Sequence, residues 1–198
     1  MKRFLAILFI SLFISSVTSQ AVSAQEHTPK RPATPGPTAA PPRNNPDVNT
    51  GGWVKFTSDR GLFSVLMPVT PEEKTETTQS EHGPYTTYLF ISRDTSNVYL
   101  IGWVDYDPNF NFNRRSELMA NRDNFVKGIK ATLLSSQTLK LDGYDALEFT
   151  AETGDRVFRS RVYMVGRRPY QIVIGYPKDG NDPAIVNRFF NSFKVRPA

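Results

Sequence analysis

The sequence predicts an α+β fold, an α/β/α sandwich with a mainly antiparallel sheet and two principal helices. Three observations lead there. Beyond Gly51 the chain becomes a succession of short, alternating, aromatic-rich runs bounded by turn residues. Two segments, near 114–133 and 183–193, instead place apolar residues at steps of three and four. The strands of the second half are apolar on both parities, so their sheet needs cover on both sides.

The residues before Gly51 do not belong to that pattern. Lys2 and Arg3 precede a nearly unbroken apolar run from Phe4 to Val17, and Val22, Ser23 and Ala24 put small residues where a signal peptidase cuts. Residues 1–24 are therefore expected to be a secretory signal, removed before Gln25. Its apolar core of about 14 residues is shorter than the roughly 20 that a spanning helix needs. No transmembrane segment is expected after cleavage. The chain has no cysteine, so neither a lipoprotein anchor nor a disulfide is expected. Residues 25–50 are rich in Pro, Thr, Ala and Asn, with Val48 the single large apolar residue, which predicts a disordered, extended tether.

Residues 51–198 then form one domain, long enough to bury roughly two thirds of its unfolded surface. Trp53 to Thr57 and Leu62 to Met67 are short strands joined by a turn at 58–61, and Pro68 and Pro71 stop the second. A polar strand at Lys74 to Ser80 and a mixed one at Tyr85 to Ser92 flank a turn at His82, Gly83 and Pro84. Asn97 to Tyr106 is apolar on both parities and reads as a central strand. Between Arg114 and Leu133 a helical stripe runs through Leu118, Arg122, Phe125, Ile129 and Leu133, with Asn113 as N-cap.

Four strands follow, Leu133 to Leu141, Tyr144 to Glu152, Arg156 to Val165 and Tyr170 to Tyr176. Asp142-Gly143 is a strong hairpin signal because both positions accept positive φ. Gly154-Asp155 and Arg167-Arg168 supply the other two-residue loops. That register puts Leu147, Phe149, Phe158, Val162, Met164 and Val173 on one face, and Ala146, Tyr163, Val165, Ile172 and Ile174 on the other. A last helix from Pro183 to Phe193 starts at an Asp182 cap with Pro183 in its first position.

Chemistry is sparse. The imidazoles are His27 in the tether and His82 in a turn, and no nucleophile elbow occurs. Asp105, Asp107 and Asn109 imitate the start of a calcium loop, but Phe110 and Ser116 stand where glycine and glutamate are required. No catalytic, cofactor-binding or metal-ligating residue is assigned, and no cofactor is expected. The net charge of +5 falls to about +2 on the domain once Lys2, Arg3 and the tether (Lys30, Arg31 and Arg43 against Glu26 and Asp47) are set aside. That excess is too small and scattered for nucleic acid. Two groups remain as binding candidates. The register sets Glu148 opposite Arg161, with Arg159 on the same face near Tyr176. Phe110 and Phe112, in the loop before the first helix, are candidates for an exposed aromatic patch.

The order of elements carries a resemblance. The run from Gly61 to Pro68 (GLFSVLMP), the apolar Tyr99 to Tyr106 strand and the amphipathic helix come in sequence. LDGYDALEF at 141–149, RVYMVG at 161–166, YQIVI at 170–174 and FNSFK at 190–194 follow. Over residues 52–196 the chain resembles exported bacterial domains of the PsbP-like superfamily, named for an extrinsic subunit of photosystem II. The resemblance implies an α/β/α sandwich and, as for most members, a non-enzymatic accessory, docking or assembly role. The expectation is therefore an exported accessory domain with an unidentified extracytoplasmic protein partner. Its compartment would be the periplasm, the medium or, in a photosynthetic host, the thylakoid lumen. A carrier of a small or lipid-like ligand is the alternative.

Overall fold

A computed structural model describes residues 52–80, 83–111, 113–180 and 182–196. The expected signal and tether, His27, His82 and Phe112 lie outside the described residues. The elements in chain order are β1 (Val54–Ser58), β2 (Phe63–Met67), β3 (Glu72–Ser80), β4 (Gly83–Arg93), β5 (Val98–Tyr106), α1 (Arg114–Gly128), β6 (Thr132–Leu141), β7 (Tyr144–Thr153), β8 (Arg156–Val165), β9 (Arg168–Pro177), α2 (Pro183–Ser192) and β10 (Lys194–Val195).

Seven strands form one antiparallel sheet in the order β3-β4-β5-β9-β8-β7-β6. The chain leaves the sheet at β5, crosses one face as α1, re-enters at the far edge as β6 and returns by hairpins until β9 closes against β5. Helix length fits that crossing. Fifteen residues extend about 22 Å, and the four strand spacings from β5 to β6 span about 19 Å. Asn113 caps α1 by accepting the Ser116 N–H at 3.1 Å. The helix ends earlier than its apolar stripe predicts. Gly128 is its last residue, Lys130 turns into the left-handed region at φ 52°, and Leu133 belongs to β6.

The side facing α1 also differs from the predicted stripe. Glu117, Leu118, Asn121 and Phe125 are buried, whereas Arg122 lies at the flank, bound to Asp123 and to the Ser136 hydroxyl at 2.9 Å. The core under α1 gathers Leu147, Phe149, Val162, Met164 and Val173, with Leu89, Ile91, Leu100 and Val104 from the other half of the sheet.

The opposite face is covered by α2 and by a small three-stranded sheet, β1-β2-β10, whose existence the sequence does not announce. Asp182 and Pro183 start α2 as expected, with the Asp182 carboxylate accepting the Ala184 N–H at 2.8 Å. Trp103, Tyr99, Tyr170, Ile172 and Ile174 from the large sheet meet Phe63, Val65, Met67, Val186, Phe189 and Phe190. Phe63 is the hub, its ring centroid 5.8 Å from Trp103, 6.2 Å from Tyr170 and 5.5 Å from Phe193.

The predicted face assignments of β7, β8 and β9 agree with the two cores. Asp142 and Gly143 both have positive φ, 51° and 83°, as a type I′ loop requires. One turn is displaced. The β8–β9 loop is Gly166-Arg167, not Arg167-Arg168, so Val165 pairs with Arg168. Gly166 takes the positive φ of 61° that a two-residue hairpin assigns to its first position. The displacement moves the register by two residues, so every side chain keeps its face.

Because Phe63 joins the small sheet to the large one, Phe63→Ala should lower stability by about 3–5 kcal/mol in urea denaturation. Val69→Ala, at an exposed position, should stay within about 0.5 kcal/mol. Equal effects of the two would show that the small sheet is not packed as described.

Candidate functional site

On the α2 side of the sheet, β7 and β8 bring together the charged residues that their hairpin count requires. Glu148 pairs directly with Arg161. The Arg161 Nε donates to Glu148 Oε2 at 2.7 Å, and an Arg159 Nη donates to Oε1 at 3.2 Å. Both guanidiniums lie against the Phe190 ring of α2, 4.6 Å from its centroid for Arg161 and 5.8 Å for Arg159. The side chains are 15% (Glu148), 17% (Arg161) and 29% (Arg159) exposed, so Arg159 presents the most surface to solvent. Burial raises the Glu148 pKa, but the hydrogen bonds and charges of Arg161 and Arg159 outweigh it and hold the carboxyl below its ordinary range. The arrangement is a rigid cationic edge with its counter-charge built in.

The loop after β5 departs from expectation. Phe110 is 8% exposed, and its ring stacks on Tyr106 at 4.7 Å. It fills the rim of the α1 core rather than forming an exposed patch. Arg167 donates to the carbonyls of Asp107 and Phe110, tying the loop to the β8–β9 turn. Arg168, expected at a solvated tip, binds Asp105 Oδ1 at 2.6 Å and the Arg60 carbonyl at 3.1 Å. The calcium-like run is a turn, in which Asp107 Oδ1 accepts the Asn109 N–H at 2.8 Å. Among the described residues no group of three or more His, Cys, Asp or Glu is placed to hold a metal ion.

Sequence reasoning missed one cluster. Glu117, in the first turn of α1, is 7% exposed and is held by uncharged donors. Its Oε1 accepts the Tyr106 hydroxyl and the Asn121 amide, the latter at 2.9 Å. Burial raises the Glu117 pKa, partly offset by those two hydrogen bonds. Burial, reinforced by the neighbouring Glu117, also raises that of Tyr106. The signal was present in the spacing, since positions 117, 121 and 125 recur every four residues, but two of the three are polar. With its neutral partners the cluster joins the start of α1 to the end of β5.

Two surface grooves of about 380 and 340 Å³ occur. One lies between Arg115 and Leu118 of α1 and the Thr138–Lys140 segment of β6. The other lies between Tyr144, Tyr163 and Phe193. Both cores between them are filled by fully buried rings, including Trp103, Tyr99 and Phe125. Among the described residues, no helix is long and apolar enough to cross a membrane.

No family model matches the sequence, and no curated protein matches it. Solved structures do. The chain is similar to the solution structure of cyanobacterial PsbP (CyanoP) from Synechocystis sp. PCC 6803. The TM-score is 0.52 at 13% identity, over 75% of this chain and 95% of that one. A crystal structure from Bacteroides thetaiotaomicron VPI-5482 matches at TM-score 0.37 and 16% identity, over 72% of this chain and 48% of that one. The first likeness establishes a PsbP-like fold.

The two acidic clusters should respond oppositely to pH. Glu148 has a lowered pKa, so its contribution is complete above the ordinary carboxylate value and disappears as pH falls through its own. Glu148→Gln should therefore cost about 1–2 kcal/mol near neutral pH and little in acid, measured by urea denaturation at both. Glu117 has a raised pKa, so its ionisation weakens the fold as pH rises. Glu117→Gln, which keeps an acceptor for Tyr106 and Asn121, should preserve or increase stability near neutrality and flatten its decline with rising pH. A loss there would contradict the burial argument.

Proposed function

We propose that this chain is an exported, non-enzymatic accessory domain that docks on another extracytoplasmic protein. The observation that carries the reading is the PsbP-like fold, found both in the order of sequence motifs and in the likeness to CyanoP. The N-terminal pattern supports export, through a signal at residues 1–24 followed by a proline-rich tether at 25–50. Extended at about 3.1 Å per residue, that tether would reach about 80 Å from an attachment point. The periplasm, the medium and, in a photosynthetic host, the thylakoid lumen all fit this address. The docking edge is the Arg159, Arg161 and Glu148 group on Phe190, where interlocked charges keep the surface in one geometry and Arg159 is the most exposed.

A photoreactive side chain installed at Arg159 tests the edge in the native cell, with the same group at exposed Glu76 as control. One partner should crosslink at position 159 and not at 76, and should be lost in an Arg159→Glu variant of unchanged melting temperature. Equal labelling from both positions would reject the edge, and no discrete protein adduct at either would reject the docking role.

A further inference from the structure

The two edges of the large sheet are built differently. β3 closes one side and carries Glu72, Glu73, Lys74 and Glu76 within its nine residues, so a second strand arriving there meets charge. β6 closes the other with the sequence TLLSSQTLKL, whose single charge is Lys140. Lys140 is itself neutralised by Asp145 at 2.8 Å. No backbone hydrogen bond from another element reaches the outer side of β6 among the described residues. Every residue from Thr132 to Thr138 is exposed. Of the exposed large apolar residues Val69, Leu133 and Leu134, two sit on this strand, at 38% and 52%.

An uncharged edge with free backbone groups is the arrangement that natural sheets ordinarily avoid. Water can satisfy such groups singly, but another extended strand offers donors and acceptors at the same repeat. We infer that β6 is a self-association edge, pairing antiparallel with β6 of a second copy across a two-fold axis and joining two sheets into one.

The strand is compatible with itself. From Ser135 to Leu141 its pairing with β7 is regular, beyond the bulge between Leu133 and Ser135. A two-fold axis through Thr138 sets Ser135 opposite Leu141, Ser136 opposite Lys140 and Gln137 opposite Leu139, each pair sharing one face of the joined sheet. Moving the axis to Gln137 sets Lys140 opposite Leu134. In neither register do like charges face each other, the condition that cross-strand pairing punishes most. The same operation through the middle of β3 places Glu76 on Glu76. This inference does not depend on the docking role proposed above, although Gln137 is the cross-strand neighbour of Glu148.

Sedimentation velocity across a concentration series of the purified full chain, with hydrogen exchange of the 135–141 amides, tests it. The chain should dimerise, and those amides should gain protection with concentration. Thr138→Lys and Thr138→Glu alter an exposed side chain that pairs with Leu147, on the face away from the Glu148 group, and each should weaken dimerisation at least about tenfold while the melting temperature holds. Mixing the two variants should restore a heterodimer. A monomer at every concentration would overturn the inference, as would a dimer indifferent to both variants. Protection of β6 independent of concentration would overturn it in favour of the chain's own proline-rich segment. A strand of a different protein crosslinked to β6 would overturn the choice of a second copy.

Discussion

A sheet that is apolar on both faces cannot stand alone, and every other part of this domain answers that need. The returning strands β7 to β9 put apolar side chains on both faces, so neither face suits water. One cover is α1, which lies across the face because it must also carry the chain from the centre of the sheet to its edge. The other cover is composite, one helix and a three-stranded sheet meeting around Phe63 and Phe193. Burial drives both, and their different constructions follow from which stretches of chain were left to provide them.

Charge appears where cover is thin or where it begins. The Glu148 group sits at the margin of the α2 cover, half-sheltered by Phe190, so its charges must be balanced locally. Glu117 stands under the first turn of α1, where burial disfavours its charge and neutral donors complete its hydrogen bonding. Each cluster is thus a consequence of the covering problem, one solved with ion pairs and the other with neutral donors.

The parts legible in the sequence were those specified by neighbours along the chain. Asp142-Gly143 fixes a turn by backbone preference, alternation fixes faces, and so Glu148 could be set opposite Arg161 from residue counting alone. The β8–β9 turn was misplaced by one position because a glycine beside two arginines permits two loops, and the backbone chose the one with Gly166 at positive φ. Glu117 and Asn121 were illegible as core because their burial rests on Tyr106, eleven residues before Glu117 and on another element. Phe110 was offered as an exposed candidate because the Arg167 that holds its loop sits in the distant β8–β9 turn, although its stacking partner Tyr106 lies only four residues before it. The β1–β2 hairpin of the small sheet was legible from its turn, but its third strand depends on distant pairing, and β10 has only two residues with which to signal itself.

That pairing has a consequence for how the chain is assembled. β10 lies against β2, the Arg196 N–H donates to the Leu62 carbonyl at 2.7 Å, and the Leu66 N–H donates to Ser192 across 126 positions. The side of Phe63 that meets Phe193 therefore stays uncovered until the segment from Phe193 to Arg196 has been made. Closing a loop of that span costs entropy before its contacts reward it, which slows folding. A chain shortened before Lys194 would leave β2 without its third strand.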